Sequence, residues 1–446
     1  MQTVIQGDPA KRPEEPGPWG LKWARPWAEK CPWLASFLFS AAALVLLPNG
    51  LVWLEPLWMV GLILAVGMGA LCWHYQPSGH VARWVLAGFV MLWMFGRCPP
   101  LAPLWLALMV LSTVWKTSRW ALGCGLLLLF LYPQIYHLPG LNVEWVDTKP
   151  FRQGALLLGL SFYYLWLSRE QTEVVQMPVS QKALYLLPWQ SWWLSIVHGP
   201  KEWAAQSGRP TWETALWALQ SGLLLWVKSR LYFGLHTYAG VWVHDYEFAL
   251  GLSTASPATV WIYAGVKYLE WYLLLSMLGD AVNLVLRLSG YRLRSTFHFP
   301  LLAWSPIEIW RRWALWNRLF LLRAIYFPMG GNGRLVLINV LAVFFGSVVL
   351  LHTGVVGELS WQFNREYTIS WFWYLMAQGV LVCGELIYWK WRRQERPRQF
   401  SLRKPSRWLG WGLTHAATLA LHIPVLLPWG MGLEERFAVF ARLFGW

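Results

Sequence analysis

From Trp33 onward the chain is a succession of apolar stretches separated by short polar ones. Candidates for bilayer crossing fall near 34–48, 51–73, 81–96, 100–115, 119–132, 152–167, 181–198, 214–235, 257–288, 335–356, 367–391 and 407–428. Several are shorter than the roughly 20 residues that a perpendicular span needs, so some are expected to merge or to be re-entrant. The pattern predicts an all-α, polytopic transmembrane helical bundle of about 10–12 membrane helices, some re-entrant or interfacial. With no repeat of fixed period and no low-complexity linker, one membrane domain is expected over 33–446, after an N-terminal arm over 1–32.

Two stretches break the pattern. Val143 to Arg152 is polar and reads as a loop. Tyr291 to Arg334 sets Arg292, Arg294, Arg311, Arg312, Arg318, Arg323 and Arg334 among aromatic residues. Such a segment suits helices at the interface, or helices lining a polar cavity within protein.

Composition points the same way. Hydrophobic residues make up 57% of the chain and charged ones only 13%, against about 25% charged in an ordinary soluble domain. Lipid as solvent removes the need for more polar surface. The 37 Trp fit many short spans with interfacial ends, where the ring is half apolar and its N–H still finds a partner; compositional drift would also raise the number.

The net charge of +15 raises nucleic acid as a partner, but the basic residues lie mostly between apolar runs, as in cytoplasmic loops. Lys390 to Arg407 holds eight basic residues and one acid, Glu395. The polar arm carries Lys11, Arg12, Lys22, Arg25 and Lys30, and with an arm of about thirty residues before the first apolar run it does not read as a cleavable signal. Both segments are expected in the cytoplasm. Cys31, Cys72, Cys98, Cys124 and Cys383 lack CxxC spacing and read as small apolar residues, not as a metal site or a disulfide frame.

The chemistry gathers at Ser305-Pro306-Ile307-Glu308-Ile309-Trp310-Arg311-Arg312-Trp313. Ser305 followed by Glu308 has the spacing of a capping box, and Pro306 takes the first helical position, where a missing N–H costs little. A helix is therefore expected to start here and to carry the W-R-R-W residues in its second turn. Tyr326-Phe327-Pro328-Met329-Gly330-Gly331-Asn332 should break it. A new apolar run from Leu335 leads to His352-Thr353-Gly354.

These elements resemble the membrane-bound O-acyltransferases, in particular the bacterial branch that acylates cell-surface glycans (alginate O-acetylation or teichoic acid D-alanylation type). That branch typically reads S-x-x-E-F-W-R-R-W-H, then Y-I-P-L-G-G-N, then an apolar helix ending in W-H-G. Weaker echoes are Gly159 to Tyr163, Tyr185 to Pro200, Gly222 to Lys228, Met277 to Asp280 and Gly290 to Leu293, in family order over 159–354. Two departures stand out. Ala314 occupies the position of the family's second polar residue, and W-H-G has become Leu351-His352-Thr353-Gly354.

The resemblance implies a bundle around a central tunnel with His352 near mid-membrane as general base, a role suited to a side chain that titrates near neutrality. An intramembrane histidine serving structure alone is the competing reading. Asn317, three residues past Ala314, is the candidate replacement for the missing polar group. Arg311 and Arg312, with Trp310, Trp313 and Asp280, are candidates for binding substrate or donor; snorkelling to headgroups is the alternative for the arginines. Asp280 and Glu270 are also placed to pair with Lys267 or Arg287. His198, His236, His244, His298, His415 and His422 show no ligand spacing, so no metal is expected. Nor does the chain hold a G-x-G-x-x-G, Walker or G-x-S-x-G motif.

The implied activity is transfer of a short acyl group, acetyl first among them, from a cytoplasmic thioester to a hydroxyl. The donor would be acetyl-CoA, another acyl-CoA or an acyl-carrier thioester, with no tightly bound cofactor. The acceptor would be a surface polysaccharide or a relay partner, such as a periplasmic esterase-like protein working with glycan synthesis machinery. The alternatives are a catalytically degenerate subunit acting as a membrane scaffold, and a transporter. A bacterial cytoplasmic (inner) membrane location follows, with the N-terminus in the cytoplasm.

Overall fold

Long apolar runs become long helices in the computed structural model, which describes residues 81, 83–85, 87–88, 176–186, 212–243, 246–288, 291, 295–333, 335–348, 365–392, 405–428 and 430–446. Among the described residues every regular element is a helix and none is a strand. In chain order these are α1 (Val179–Leu186), α2 (Trp212–Val243), α3 (Tyr246–Gly251), α4 (Pro257–Leu288), α5 (Pro306–Arg312), α6 (Leu315–Leu321), α7 (Val336–Ser347), α8 (Arg365–Arg392), α9 (Pro405–Leu426) and α10 (Leu433–Arg442). A 3₁₀ turn at Pro300–Leu302 precedes α5, and a π turn at Leu322–Tyr326 follows α6.

The apolar stretch 257–288 is one helix, α4. The stretches at 214–235, 367–391 and 407–428 are α2, α8 and α9: α2 and α8 extend beyond their apolar runs at both ends, and α9 begins and ends two residues before its run does. The run from 335 gives α7, which ends at Ser347. The expected elements at 34–48, 51–73, 100–115, 119–132 and 152–167, most of 181–198, the arm over 1–32 and His352 lie outside the described residues.

Among the described residues, two helical segments, Ile369–Arg392 and Arg407–Leu426, are long and apolar enough to cross a membrane. Helices α2 and α4 reach 32 residues each, about 48 Å at 1.5 Å per residue, but carry buried ionisable groups.

The described residues fall into two compact units: one takes those of Leu231–Ser276 and Thr296–Trp446, the other those of Pro13–Arg230 and Met277–Ser295. In the first, one apolar core joins α3, α4, α9 and α10 through Ala249, Val260, Tyr263, Ile423 and Val439. A second core joins α5, α7, α8 and α9 through Ile307, Val340, Phe344, Leu375, Leu386 and Val425.

Helix α10 buries Arg436 completely. Its guanidinium donates to the carbonyl of Pro424 in the last turn of α9 and to those of Leu427, Pro428 and Met431 just beyond it, satisfying acceptors where the helix ends.

In the other unit, α2 and α4 are tied by charge. Lys228 Nζ donates to Asp280 Oδ2 at 2.5 Å. Arg287 donates to Ser221 Oγ at 2.7 Å and to the Trp217 carbonyl, and lies over the Trp217 ring. A buried charge in an apolar helix pair persists only when it is paired and hydrogen-bonded.

Candidate functional site

Helix α5 starts where its sequence places it but ends at Arg312, earlier than expected: Trp313 is extended and Ala314 left-handed, so Trp313 lies outside the helix and the break comes before Tyr326. Ser305 is extended, and its Oγ accepts from the Glu308 N–H at 3.4 Å. Pro306 at the first position has no N–H to satisfy. The Ile307 N–H donates to Glu385 Oε2 of α8 at 2.9 Å, and Ile309 N bonds Ser305 O within the helix. Every N–H of the first turn is therefore accounted for.

The buried Glu308 carboxylate holds both arginines, Arg311 Nη1 at 3.3 Å and Arg312 Nε at 3.2 Å. Arg312 also donates to the His298 carbonyl, and His298 N–H returns to the Arg312 carbonyl. The two cations thus share one anion inside the helix.

The two tryptophans point to different neighbours. Trp310 Nε1 donates to Gln378 Oε1 of α8 at 3.3 Å, and its ring meets Phe344 edge-on at 4.9 Å. Trp313 stacks near Tyr268 of α4 at 6.1 Å and meets Phe297 edge-on. Tyr268 in turn meets His422 of α9, and His422 stacks on Tyr374 of α8 at 4.2 Å with the rings 11° apart.

Ala314 is left-handed, with φ 41° and ψ 59°, and opens α6 without a side-chain cap. One turn on, Asn317 Oδ1 is buried and has no hydrogen-bond partner among the described residues.

The chain then tightens into the π turn and reverses at 327–333, where Gly330 and Gly331 take φ of 97° and 56°. These are values that glycine adopts without steric cost. Tyr326 Oη donates to Asn332 Oδ1 at 2.8 Å, and Asn339 Nδ2 donates to the Gly331 carbonyl. Burial pushes the Tyr326 phenol up to about 12, so it donates throughout the physiological range.

Of the residues singled out from sequence, the first unit brings together Trp310, Arg311, Arg312, Trp313 and Asn317. Asp280 belongs to the other unit and pairs with Lys228, a partner the sequence did not point to. Glu270 does pair with Lys267, at 3.3 Å, and its other oxygen meets Nδ1 of the half-exposed His236. Among the described residues no three His, Cys, Asp or Glu side chains are grouped to hold a metal ion.

Sequence reasoning missed Glu385 and Gln378, the polar residues of α8 that receive α5. The signal was present: each is an isolated polar residue within the apolar run 367–391, and such residues are retained where they have partners. In comparisons with known proteins, no family model matches the chain and no curated protein matches it.

Proposed function

We propose that the chain is a membrane O-acyltransferase. In this reading it moves a short acyl group, acetyl first among candidates, from a cytoplasmic thioester to a hydroxyl of a cell-surface polysaccharide or of a relay partner. It does so as a polytopic bundle in a bacterial cytoplasmic membrane, with its N-terminus in the cytoplasm. The observation that carries the reading is local. The Ser305–Trp313 element forms a capped helix with a buried first turn whose two tryptophans, one in the helix and one ending it, reach different helices, and just beyond it lies an amide oxygen, Asn317 Oδ1, with no partner among the described residues. A polar atom left unsatisfied in an apolar interior costs free energy and calls for an explanation, which an acceptor hydroxyl or its proton would supply. The protein contributes proximity, a base and a water-poor site, the base being His352 by resemblance.

The scaffold reading draws on a different observation. Arg311 and Arg312 are held by Glu308 within their own helix, which reduces the positive field they present to donor phosphates, and Ala314 offers no polar group.

Replacing His352 separates the two. With labelled acetyl-CoA supplied to membranes, His352→Gln and His352→Ala should both lower glycan or acceptor acylation about 10²–10⁴-fold, the usual cost of losing a general base. Asn317→Ala should impair the same transfer. Full activity in His352→Gln would favour the scaffold.

A further inference from the structure

Helices α8 and α9 pack side by side, with Tyr374 stacked on His422. Trp371, one turn before Tyr374, also meets His422. One turn further along α8 lies Gln378, and one turn earlier on α9 lies Thr418. Since residues four apart share a helix face, a pairing of 374 with 422 in antiparallel register sets 378 opposite 418.

Both side chains are at least 99% buried, and both keep a polar atom unused: Gln378 Nε2 and Thr418 Oγ1 have no hydrogen-bond partner among the described residues. The hydroxyl of Tyr268, which meets His422 from α4, is buried and likewise has no partner among the described residues.

The orientation of the Gln378 amide follows from chemistry. Indole N–H only donates, so the bond from Trp310 Nε1 assigns the Gln378 oxygen to the α5 side and turns its NH₂ elsewhere. The W-R-R-W element touches two of these residues, Trp310 at Gln378 and Trp313 at Tyr268, and the helix register sets Thr418 opposite Gln378.

Resting on the acyltransferase reading, we propose that Gln378, Thr418 and Tyr268 form the site that receives the carbonyl oxygen of the acyl thioester. In the transfer step the acceptor oxygen attacks the carbonyl carbon. A C–O bond forms, and the carbonyl π pair moves onto oxygen as an oxyanion. Collapse breaks the C–S bond, the electron pair leaves on sulfur, and the hydroxyl proton passes by way of the base to that thiolate. Preorganised donors in a water-poor site stabilise the oxyanion more than the ground-state carbonyl. Trp310, through its bond to the Gln378 oxygen, is a positioning residue for one of those donors.

The test uses the full chain in detergent or nanodiscs with [1-¹³C]acetyl-CoA. Thr418→Val keeps size and removes the donor. Gln378→Glu keeps the acceptor for Trp310 and removes the amide donor, and Tyr268→Phe removes the phenol. Each is expected to lower kcat, about 10²–10³-fold for the loss of one oxyanion donor, with little change in KM. Each should also move the ¹³C carbonyl stretch of the bound donor to higher frequency.

Thr418→Val should keep its melting temperature, so a rate loss there is not unfolding. Wild-type transfer that survives in all three variants, with an unmoved carbonyl band, overturns this assignment and leaves the acyltransferase reading standing. A wild-type protein that neither binds acetyl-CoA nor transfers its acyl group overturns both.

Discussion

The Ile307 N–H donates to the Glu385 carboxylate at 2.9 Å, so the second residue of α5 is capped from a different helix. Ser305 takes the next N–H, and the negative charge of Glu385 lies where the helix dipole favours an anion.

Removing either cap should loosen the same helix by different amounts. Ser305→Ala is expected to cost about 0.5–2 kcal/mol. Glu385→Ala should cost about 1–3 kcal/mol, since it strands a backbone N–H as well as Trp389 Nε1, which donates to the other carboxylate oxygen. Thermal unfolding in detergent measures both. A melting temperature unchanged in Glu385→Ala would show that the α5–α8 junction carries no stability.

Ala314 holds a backbone conformation that its side chain disfavours. Left-handed geometry costs an L-residue roughly 1–2 kcal/mol, a cost glycine escapes and asparagine partly escapes. Ala314→Gly and Ala314→Asn should therefore both raise the melting temperature. On the acyltransferase reading, Ala314→Asn should raise transfer as well, whereas Ala314→Gly should not. A lower melting temperature in both variants would mean that the turn between α5 and α6 is not left-handed.

The ion pair between Lys228 and Asp280 is expected to show strong coupling. Asp280→Asn leaves the ammonium beside a neutral amide and should cost about 3–5 kcal/mol, as should Lys228→Met from the other side. The double change Lys228→Met with Asp280→Leu should recover most of that loss. Additive losses in the double-mutant cycle would rule out a direct pair.

Topology can be checked without any structure. Single cysteines at Glu15 and at Gln399, in an otherwise cysteine-free background, are expected to resist a membrane-impermeant thiol reagent in intact cells and to react after lysis. Both positions lie among basic residues that favour the cytoplasmic side. Labelling of either one from outside would reverse the orientation.

What the sequence made legible follows from how local each signal is. The start of α5 could be placed because capping depends on residues three apart, Ser305 and Glu308, and on Pro306. The reversal at 327–333 likewise announced itself in Pro328 and the glycine pair. Helix α4 matched its apolar run from Pro257 to Leu288 because nothing in that run competes with the helix.

Partners supplied by distant elements stayed hidden. No spacing rule links Glu385 to Ile307 or Gln378 to Trp310, since those bonds depend on how α8 packs beside α5. Lys228, read only as the end of the Gly222 to Lys228 echo, proved to be the partner of Asp280 for the same reason. Helix α10 escaped the hydropathy reading because Glu434, Glu435, Arg436 and Arg442 make it polar on average. The candidate site is legible around α5, while His352 lies outside the described residues.

Arg436 has a consequence for the order in which the chain can settle. Its guanidinium reaches the carbonyls of Pro424, Leu427 and Pro428, all made before it. Until Arg436 emerges, the carbonyls at the end of α9 lack its donors and, on the membrane reading, would hold that end at a watery boundary. The arginine then arrives as a latch, replacing several water molecules with one planar fork of donors. Helix α9 is thus finished by the segment that follows it, and a chain interrupted after Gly430 should leave α9 shallow, frayed and open to proteases.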